Sequence, residues 1–347
     1  MRKRLLSVLL CGVMVFCGIT SCGVSEKEDK NNSASESENS VDESNEKDSD
    51  EKTSINIACM KGPTAIGMIE LFELSERGES YNDYNYSIVG KADEISTGLV
   101  KGDLDIAAVP CNLASILYNK TDGEIVTVAI NTLGVLYIVE QGESIQSVAD
   151  LKGKTIYSTG QGTTPEYTLR YLLSSAGINP DEEVTIEYKS EASEVVAVLN
   201  NDASAVAMLP QPYVTVAMNN NQNIRIALDV TNEWENMNDG TVVTGVIVAN
   251  KKFIEENETA FKEFMKEYKE STEFANEYID ETAEYLEKYD VFKAEIAKKA
   301  IPYCNVTYID GEEMQKKIKE YLNVLYSQNP ASIGGNTPNE EMFYIAK

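Results

Sequence analysis

Four short stretches combine glycine, proline, threonine and amide side chains just ahead of a helix-forming run. They are Lys61-Gly62-Pro63-Thr64, Pro110-Cys111-Asn112, Thr159-Gly160-Gln161-Gly162-Thr163-Thr164 and Pro210-Gln211-Pro212-Tyr213. Such residues suit hydrogen-bond recognition rather than covalent chemistry. A helix start presents free backbone N–H groups and about half a positive charge. Glycine lets those amides approach a bound group closely, and proline in the first turn gives up no hydrogen bond. Thr64, Asn112, Thr163 and Thr164 can add side-chain donors. The same residue types also act as plain helix caps, so each stretch alone supports either reading. Covalent catalysis has little to draw on. The 347 residues contain no histidine, so no Ser/His/Asp set can form. Acids are abundant, which keeps a carboxylate-based hydrolase as an alternative. The only acid adjoining these stretches is Glu166, where a first-turn carboxylate suits the helix dipole.

The surrounding pattern says what holds these stretches. Short apolar runs such as "INIACM" (55–60), "YSIVG" (86–90) and "DIAAVP" (105–110) alternate with amphipathic runs such as "TAIGMIELFELS" (64–75) and "ADEISTGLVKG" (92–102). "TVAIN" (127–131) and "GVLYIVEQ" (134–141) read as two further strands, after which the alternation begins again. Strands alternating with helices predict an α/β fold with mostly parallel sheets. In such sheets ligands sit beyond the carboxyl ends of the strands, where all four stretches fall. "LVKGDLDIAAVP" (99–110) echoes "LNNDASAVAMLP" (199–210), with Leu99 and Leu199, Ala107 and Ala207, and Pro110 and Pro210 in step. Two similarly built halves are therefore expected. From about residue 256 the chain reads as charged helices.

The first residues carry an address. Arg2, Lys3 and Arg4 precede about a dozen apolar residues, too few for the roughly 20 that span a bilayer, so they read as a secretory signal. Residues 23–52 hold 11 acidic and 4 basic side chains and almost nothing apolar; a tether that cannot pack a core is expected there. The formal net charge is −27, of which about −23 falls on residues 53–347. That charge argues against nucleic acid or anionic lipid as partners. Of six cysteines, Cys59, Cys111 and Cys304 belong to the body. With no histidine and no C-x-x-C pair, zinc sites built on His or Cys pairs are not expected, and neither metal nor cofactor is expected. Cys59 and Cys111 end two neighbouring strands, and buried free thiols are expected there rather than a disulfide.

Two resemblances sharpen this reading. Ile19-Thr20-Ser21-Cys22 resembles a bacterial lipobox, which implies removal of residues 1–21 and lipidation of Cys22, palmitate included. The body resembles the solute-binding proteins of ABC transporters, in the SsuA/THI5-like branch for nitrate, sulfonates and thiamine-precursor pyrimidines. "KGPTAIGM", "GLVKGDLDIAAVP", "VADLKGKTIYSTGQGTTPEYTLRYLLSSAGINPDEEVTIEY" and "AVLNNDASAVAMLPQPYVTVA" carry the likeness. It implies a two-lobed type II periplasmic-binding-protein fold, with residues 53–134 plus 246–347 as one lobe and 135–245 as the other. It further implies a monomer outside the cell membrane that closes on a small-molecule ligand and docks on an ABC permease. A ligand-sensing surface lipoprotein of the same fold is the other reading. The branch also contains a pyrimidine synthase that consumes its own histidine; a chain without histidine departs from that chemistry.

The expected ligand contacts are Lys61, Gly62, Thr64, Cys111, Asn112, Thr159, Gln161, Thr163, Thr164, Gln211, Tyr213 and Trp234. Lys61 is the one cation on the four stretches. Beyond the signal, arginine occurs only at positions 77, 170 and 225, all read as lying outside the pocket. An Arg fork is the usual clamp for a tightly held sulfonate. Tyr167, Tyr213 and the sole tryptophan, Trp234, offer flat walls, with Trp234 placed in the polar loop "TNEWENMNDG" either as a plug or as a stacking surface. A planar or weakly anionic organic nutrient, such as a sulfonate or pyrimidine precursor, fits this set.

Overall fold

The computed structural model describes residues 52–237 and 240–346. The signal, Cys22 and the tether up to residue 51 lie outside the described residues. Among the described residues, eleven strands form two sheets. The first contains β1 (Ser54–Met60), β2 (Asp83–Val89), β3 (Ile106–Pro110), β4 (Ile125–Leu133), β10 (Val243–Asn250) and β11 (Val306–Ile309), in the order β11-β4-β10-β3-β1-β2. The second contains β5 (Leu136–Gln141), β6 (Thr155–Ser158), β7 (Thr185–Tyr188), β8 (Val206–Pro210) and β9 (Ile224–Asp229), in the order β7-β6-β8-β5-β9.

Helices join and cover the strands. Before the first crossing these are α1 (Pro63–Ile66), α2 (Ile69–Glu76), α3 (Ala92–Lys101) and α4 (Cys111–Lys120). The second sheet carries α5 (Thr164–Ser175), α6 (Ala192–Asn201), α7 (Tyr213–Asn220) and α8 (Val230–Met237). After β10 follow α9 (Lys251–Glu256), α10 (Glu258–Glu277), α11 (Ile279–Lys288), α12 (Ala294–Ala300) and α13 (Gly311–Gln328).

The two sheets are built alike. β1 lies between β2 and β3, parallel to both, as β6 lies between β7 and β8. β10 pairs antiparallel with β3, and β5 pairs antiparallel with β8. These two antiparallel strands border the chain's crossings between sheets, at residues 133–136 and on the return through α8. The internal echo is therefore structural. α3 and α6 both run for ten residues and start 100 positions apart, and β3 and β8 do the same over five. Gly134, at the first crossing, has no room for a side chain: a Cβ would stand 1.8 Å from Thr231 Oγ1.

Three apolar clusters pack the described residues. One covers a face of the first sheet with Phe72, Phe261, Phe264 and Tyr268, and another covers a face of the second with Val195, Leu199 and Val214. The third runs continuously from Ala107 and Val246 in the first sheet to Ile138 and Met208 in the second. The described residues accordingly fall in a single compact unit.

The local departures from expectation have identifiable causes. The helix read over 64–75 is broken at residues 67–68. The Thr64 carbonyl is taken by Asn131 Nδ2 at 3.2 Å, and the Met68 amide turns to Ala65 O at 3.0 Å. "TNEWENMNDG" is largely helix, not loop. Asp229 Oδ1 accepts from the amides of Thr231 (2.9 Å) and Asn232 (3.2 Å), capping α8. Its apolar residues Val230, Trp234 and Met237 fall at helical spacing, a signal the polar composition hides.

Candidate functional site

A cleft of about 510 Å³ opens where strand ends of both sheets face each other. From the first sheet it is lined by residues 60–64 after β1, 90–93 after β2, and Pro110 after β3. From the second come Thr159, Gly160, Gln161 and residues 163–165 after β6, residues 188–192 after β7, and Pro210 and Tyr213 around the end of β8. The floor adds Val135 and Leu136 from the first crossing and Thr244 from β10. Six strand–helix junctions, paired across the two sheets, thus converge on one space.

Eight of the twelve expected contacts line it: Lys61, Gly62, Thr64, Thr159, Gln161, Thr163, Thr164 and Tyr213. Several of their hydroxyl protons are already committed. Thr64 Oγ1 donates to Met60 O (3.2 Å), Thr163 Oγ1 to Gly160 O (2.7 Å) and Thr164 Oγ1 to Asn112 Oδ1 (3.3 Å). These hydroxyls can still accept a hydrogen bond. The start of α5 is partly satisfied from within as well: Glu166 holds the Gly162 amide at 2.7 Å, Asn112 holds the Thr164 amide at 3.0 Å, and Pro165 has none. Charge comes from lysines on the walls. Lys61 faces Asp290 at 3.4 Å, Lys189 faces Glu187 at 3.2 Å, and Lys91 has no ion-pair partner among the described residues. Arg77, Arg170 and Arg225 are tied to Glu79, Glu166 with Asp181, and Glu140, and none lines the cleft.

Residues 117–282 match the family model described as NMT1/THI5 like. That similarity covers just under half of the chain. Solved structures agree on the fold. An ABC transporter from Parabacteroides distasonis is 23% identical over 85% of this chain and 100% of its own, with a TM-score of 0.71. The periplasmic aliphatic sulphonate binding protein SsuA from Escherichia coli is 14% identical over 85% of this chain and 92% of its own, with a TM-score of 0.68. The periplasmic nitrate-binding protein NrtA from Synechocystis PCC 6803 is 15% identical over 80% and 82%, with a TM-score of 0.62. No curated protein matches the sequence. The architecture is the type II periplasmic-binding-protein fold.

Four expected contacts stand away from the cleft. Asn112 is fully buried and all its bonding capacity is filled. Its Nδ2 donates to Gly162 O (3.2 Å) and Ser332 O (3.0 Å), and its Oδ1 accepts from the amide and hydroxyl of Thr164. It clamps α4 to the start of α5 instead of facing a solute. Cys111 is buried with its side chain in the continuous core, and Cys59 packs in the cluster on the first sheet's far face. Both are free thiols, as is Cys304, and neither reaches the cleft mouth. Burial pushes the Cys59 thiol up to about 12 and raises that of Cys111 as well. Gln211 is 3% exposed and turns its Oε1 to Thr215. Trp234 is fully buried between Tyr171 (ring centroids 4.4 Å apart) and Tyr321 (5.1 Å); an indole at that α8 position plugs the junction between halves.

The lining residues that were not anticipated include Lys91, Tyr188, Lys189 and Thr244. Lys91 and Glu191 are the N-caps of α3 and α6, at matching positions of the 100-residue echo. Following "GKADE" (90–94) to "SEASE" (190–194) at that offset would have found both junctions. Asp93 and Glu191 also bring acids to the cleft, contrary to the reading that left only Glu166 nearby. Glu191 spends its carboxylate on the capping box of α6. Burial raises the Tyr188 and Tyr213 hydroxyls above their ordinary value, with the Glu191 carboxylate adding to the rise at Tyr213, so both stay protonated at neutral pH. Thr244 Oγ1 is buried at the floor with no hydrogen-bond partner among the described residues. Position 244 lies beside a register shift in β10, which sequence periodicity does not reveal.

Proposed function

We propose that this chain is an extracellular solute-binding lipoprotein that takes a small organic nutrient into the cleft and delivers it to an ABC import permease. The two lobes are residues 53–134 plus 246–347 and residues 135–245. Cys22 carries the lipid anchor, and the protein acts as a monomer without catalysis. The observation that carries this reading is the convergence of strand ends from both sheets on one 510 Å³ cleft floored by residues 135, 136 and 244. Ligands of open α/β sheets occupy that position, and a hinge about crossing strands closes it. The names of the solved neighbours, which include sulphonate- and nitrate-binding proteins, support the same role.

The ligand class follows from the walls. Lys61, Lys91 and Lys189 supply positive charge, and no arginine is among the lining residues. Tyr188, Tyr213, Pro110 and Pro210 supply flat apolar surface. A planar or weakly anionic solute, such as a sulfonate or a pyrimidine precursor, matches both features. Lys61, Gly62, Thr64, Thr159, Gln161, Thr163, Thr164 and Tyr213 contact it, joined by Lys91, Lys189 and Thr244.

A thermal-shift screen against sulfonates, pyrimidines, nitrate and amino acids tests the reading. A genuine solute at 100 times its dissociation constant adds about 2.7 kcal/mol of stability. Failure of every compound class to stabilise the protein, or turnover of the best hit into product, would refute it. For the anchor, Cys22→Ser should move the protein from the membrane fraction to the medium.

A further inference from the structure

A second groove, of about 470 Å³, lies between α7 with β9 on one side and residues 299–303 on the other. It shares no lining residue with the cleft. Three apolar side chains stand open on it: Met218 (37% exposed), Ile226 (36%) and Tyr303 (57%). Apolar groups clustered around a concavity mark binding sites more than singly scattered ones do.

The polar lining is specific. Gln211 is nine-tenths buried, and its Oε1 accepts from the Thr215 amide (3.2 Å) and hydroxyl (2.8 Å). The amide N–H of Thr215 can only donate, which fixes the orientation of the Gln211 carboxamide. Its Nε2 then faces the groove with no hydrogen bond among the described residues. That donor, held in place by an otherwise buried side chain, is open to an acceptor entering the groove. Across the groove, Lys299 spends one donor on Asn219 Oδ1 at 3.2 Å and keeps two. An amide donor and an ammonium thus look onto a pocket whose other walls combine the phenol of Tyr303, the thioether of Met218 and Ile226 with the polar side chains of Thr215, Asn219 and Gln222.

We propose that this groove is a second small-molecule site, for a carboxylate with an aromatic or aliphatic body. The carboxylate accepts from Gln211 Nε2 and Lys299 Nζ, and the body lies against Tyr303, Met218 and Ile226. A sulfonate-sized head group alone would leave the apolar walls wet, so the body is part of the recognition. The site does not depend on what fills the cleft.

Photolabelling of the intact processed protein tests this. The probe is 4-benzoylphenylacetate, whose benzophenone inserts into nearby C–H bonds, and labelled peptides are mapped by mass spectrometry. Saturable labelling is expected on peptides holding Met218, Ile226 or Tyr303, suppressed by excess 3-phenylpropionate but not by 3-phenylpropanol. Gln211→Glu keeps the acceptor for Thr215 and removes the donor; it should cut labelling roughly tenfold, as loss of a charge-assisted hydrogen bond does. Lys299→Gln, at an exposed position, gives a second reading that does not touch the fold and should cut labelling roughly threefold. Absence of saturable labelling, labelling confined to cleft peptides, competition by the alcohol as strong as by the acid, or indifference to both substitutions would each overturn the proposal.

Discussion

Asn112 separates two roles that a solute-binding cleft can give the same residue type. Placed against a ligand, Asn112→Ala would weaken binding and leave stability almost untouched. Placed as the structure has it, the substitution removes four hydrogen bonds that tie Gly162, Thr164 and Ser332 together. Gly162 is exposed and can return its carbonyl to water, whereas Thr164 and Ser332 are fully buried. Three buried groups, the Thr164 amide and hydroxyl and the Ser332 carbonyl, lose their partners at about 1–3 kcal/mol each, so roughly 4 kcal/mol is expected from the lower part of that range. Unfolding entropy near 2.1 cal/mol/K per residue over about 290 residues makes 1 kcal/mol worth about 1.6 °C. The melting temperature should therefore drop by about 6 °C, read by calorimetry on the unliganded protein. Asn112→Asp should cost more at neutral pH, because a carboxylate would face the carbonyls of Gly162 and Ser332. Its deficit should shrink as acid protonates that group. A fall below about 2 °C for Asn112→Ala, with a large loss of solute affinity, would show that the residue serves the ligand and that the clamp is wrong.

The remaining expectations use other measurements. Thr244→Val replaces an unpartnered buried hydroxyl with a methyl, so stability should hold or rise by up to about 1 kcal/mol while calorimetric solute affinity falls about tenfold. Gly134→Ala drives a Cβ into Thr231 and should cost about 3 kcal/mol in urea unfolding; adding Thr231→Ala should recover part of it. Glu70 is held at about 7, raised by burial and by Glu270 and partly lowered by Arg77. An acid whose folded pKa lies above its unfolded one binds more protons folded, so its contribution is lost as pH rises from about 4.5 to 7. Glu70→Gln should therefore stabilise the protein at pH 8 relative to the unsubstituted chain and lose that advantage at pH 5; an equal gain at both would contradict the assignment.

Much of the fold was legible because it rests on periodicity. Gly102 ends α3 in the left-handed conformation (φ 77°), and the proline-ended strands β3 and β8 sit where their spacing placed them. The junctions of the site were legible for the same reason, and the two that were overlooked lay on the echo that identified the others. Side-chain direction was not legible. Pro210 and Tyr213 line the cleft, while Gln211 between them lines the other groove. Asn112, two residues beyond a strand that does reach the cleft, points behind it to Ser332. A quartet of turn residues can be recognised from composition, but the turn's dihedrals decide which of its members look inward.

That distinction bears on how closure can work. Trp234 packs on Tyr321 of α13, the Thr168 and Tyr321 hydroxyls meet at 2.7 Å, and Asn112 reaches Thr164, all in fully buried surroundings between the two sheets. Opening this side would expose the indole and strip several polar groups of their partners, whereas the rim of the cleft carries Lys61, Gly90 and Lys91, already exposed to water. A hinge motion of the proposed lobes should therefore pivot about the packed side, with the crossing at residues 133–136 flexing. Weakening the pivot should loosen the closed state, not create it: Trp234→Ala should lower solute affinity although the residue is remote from the cleft lining. An affinity equal to that of the unsubstituted chain in a variant shown to be folded would remove the pivot from the mechanism.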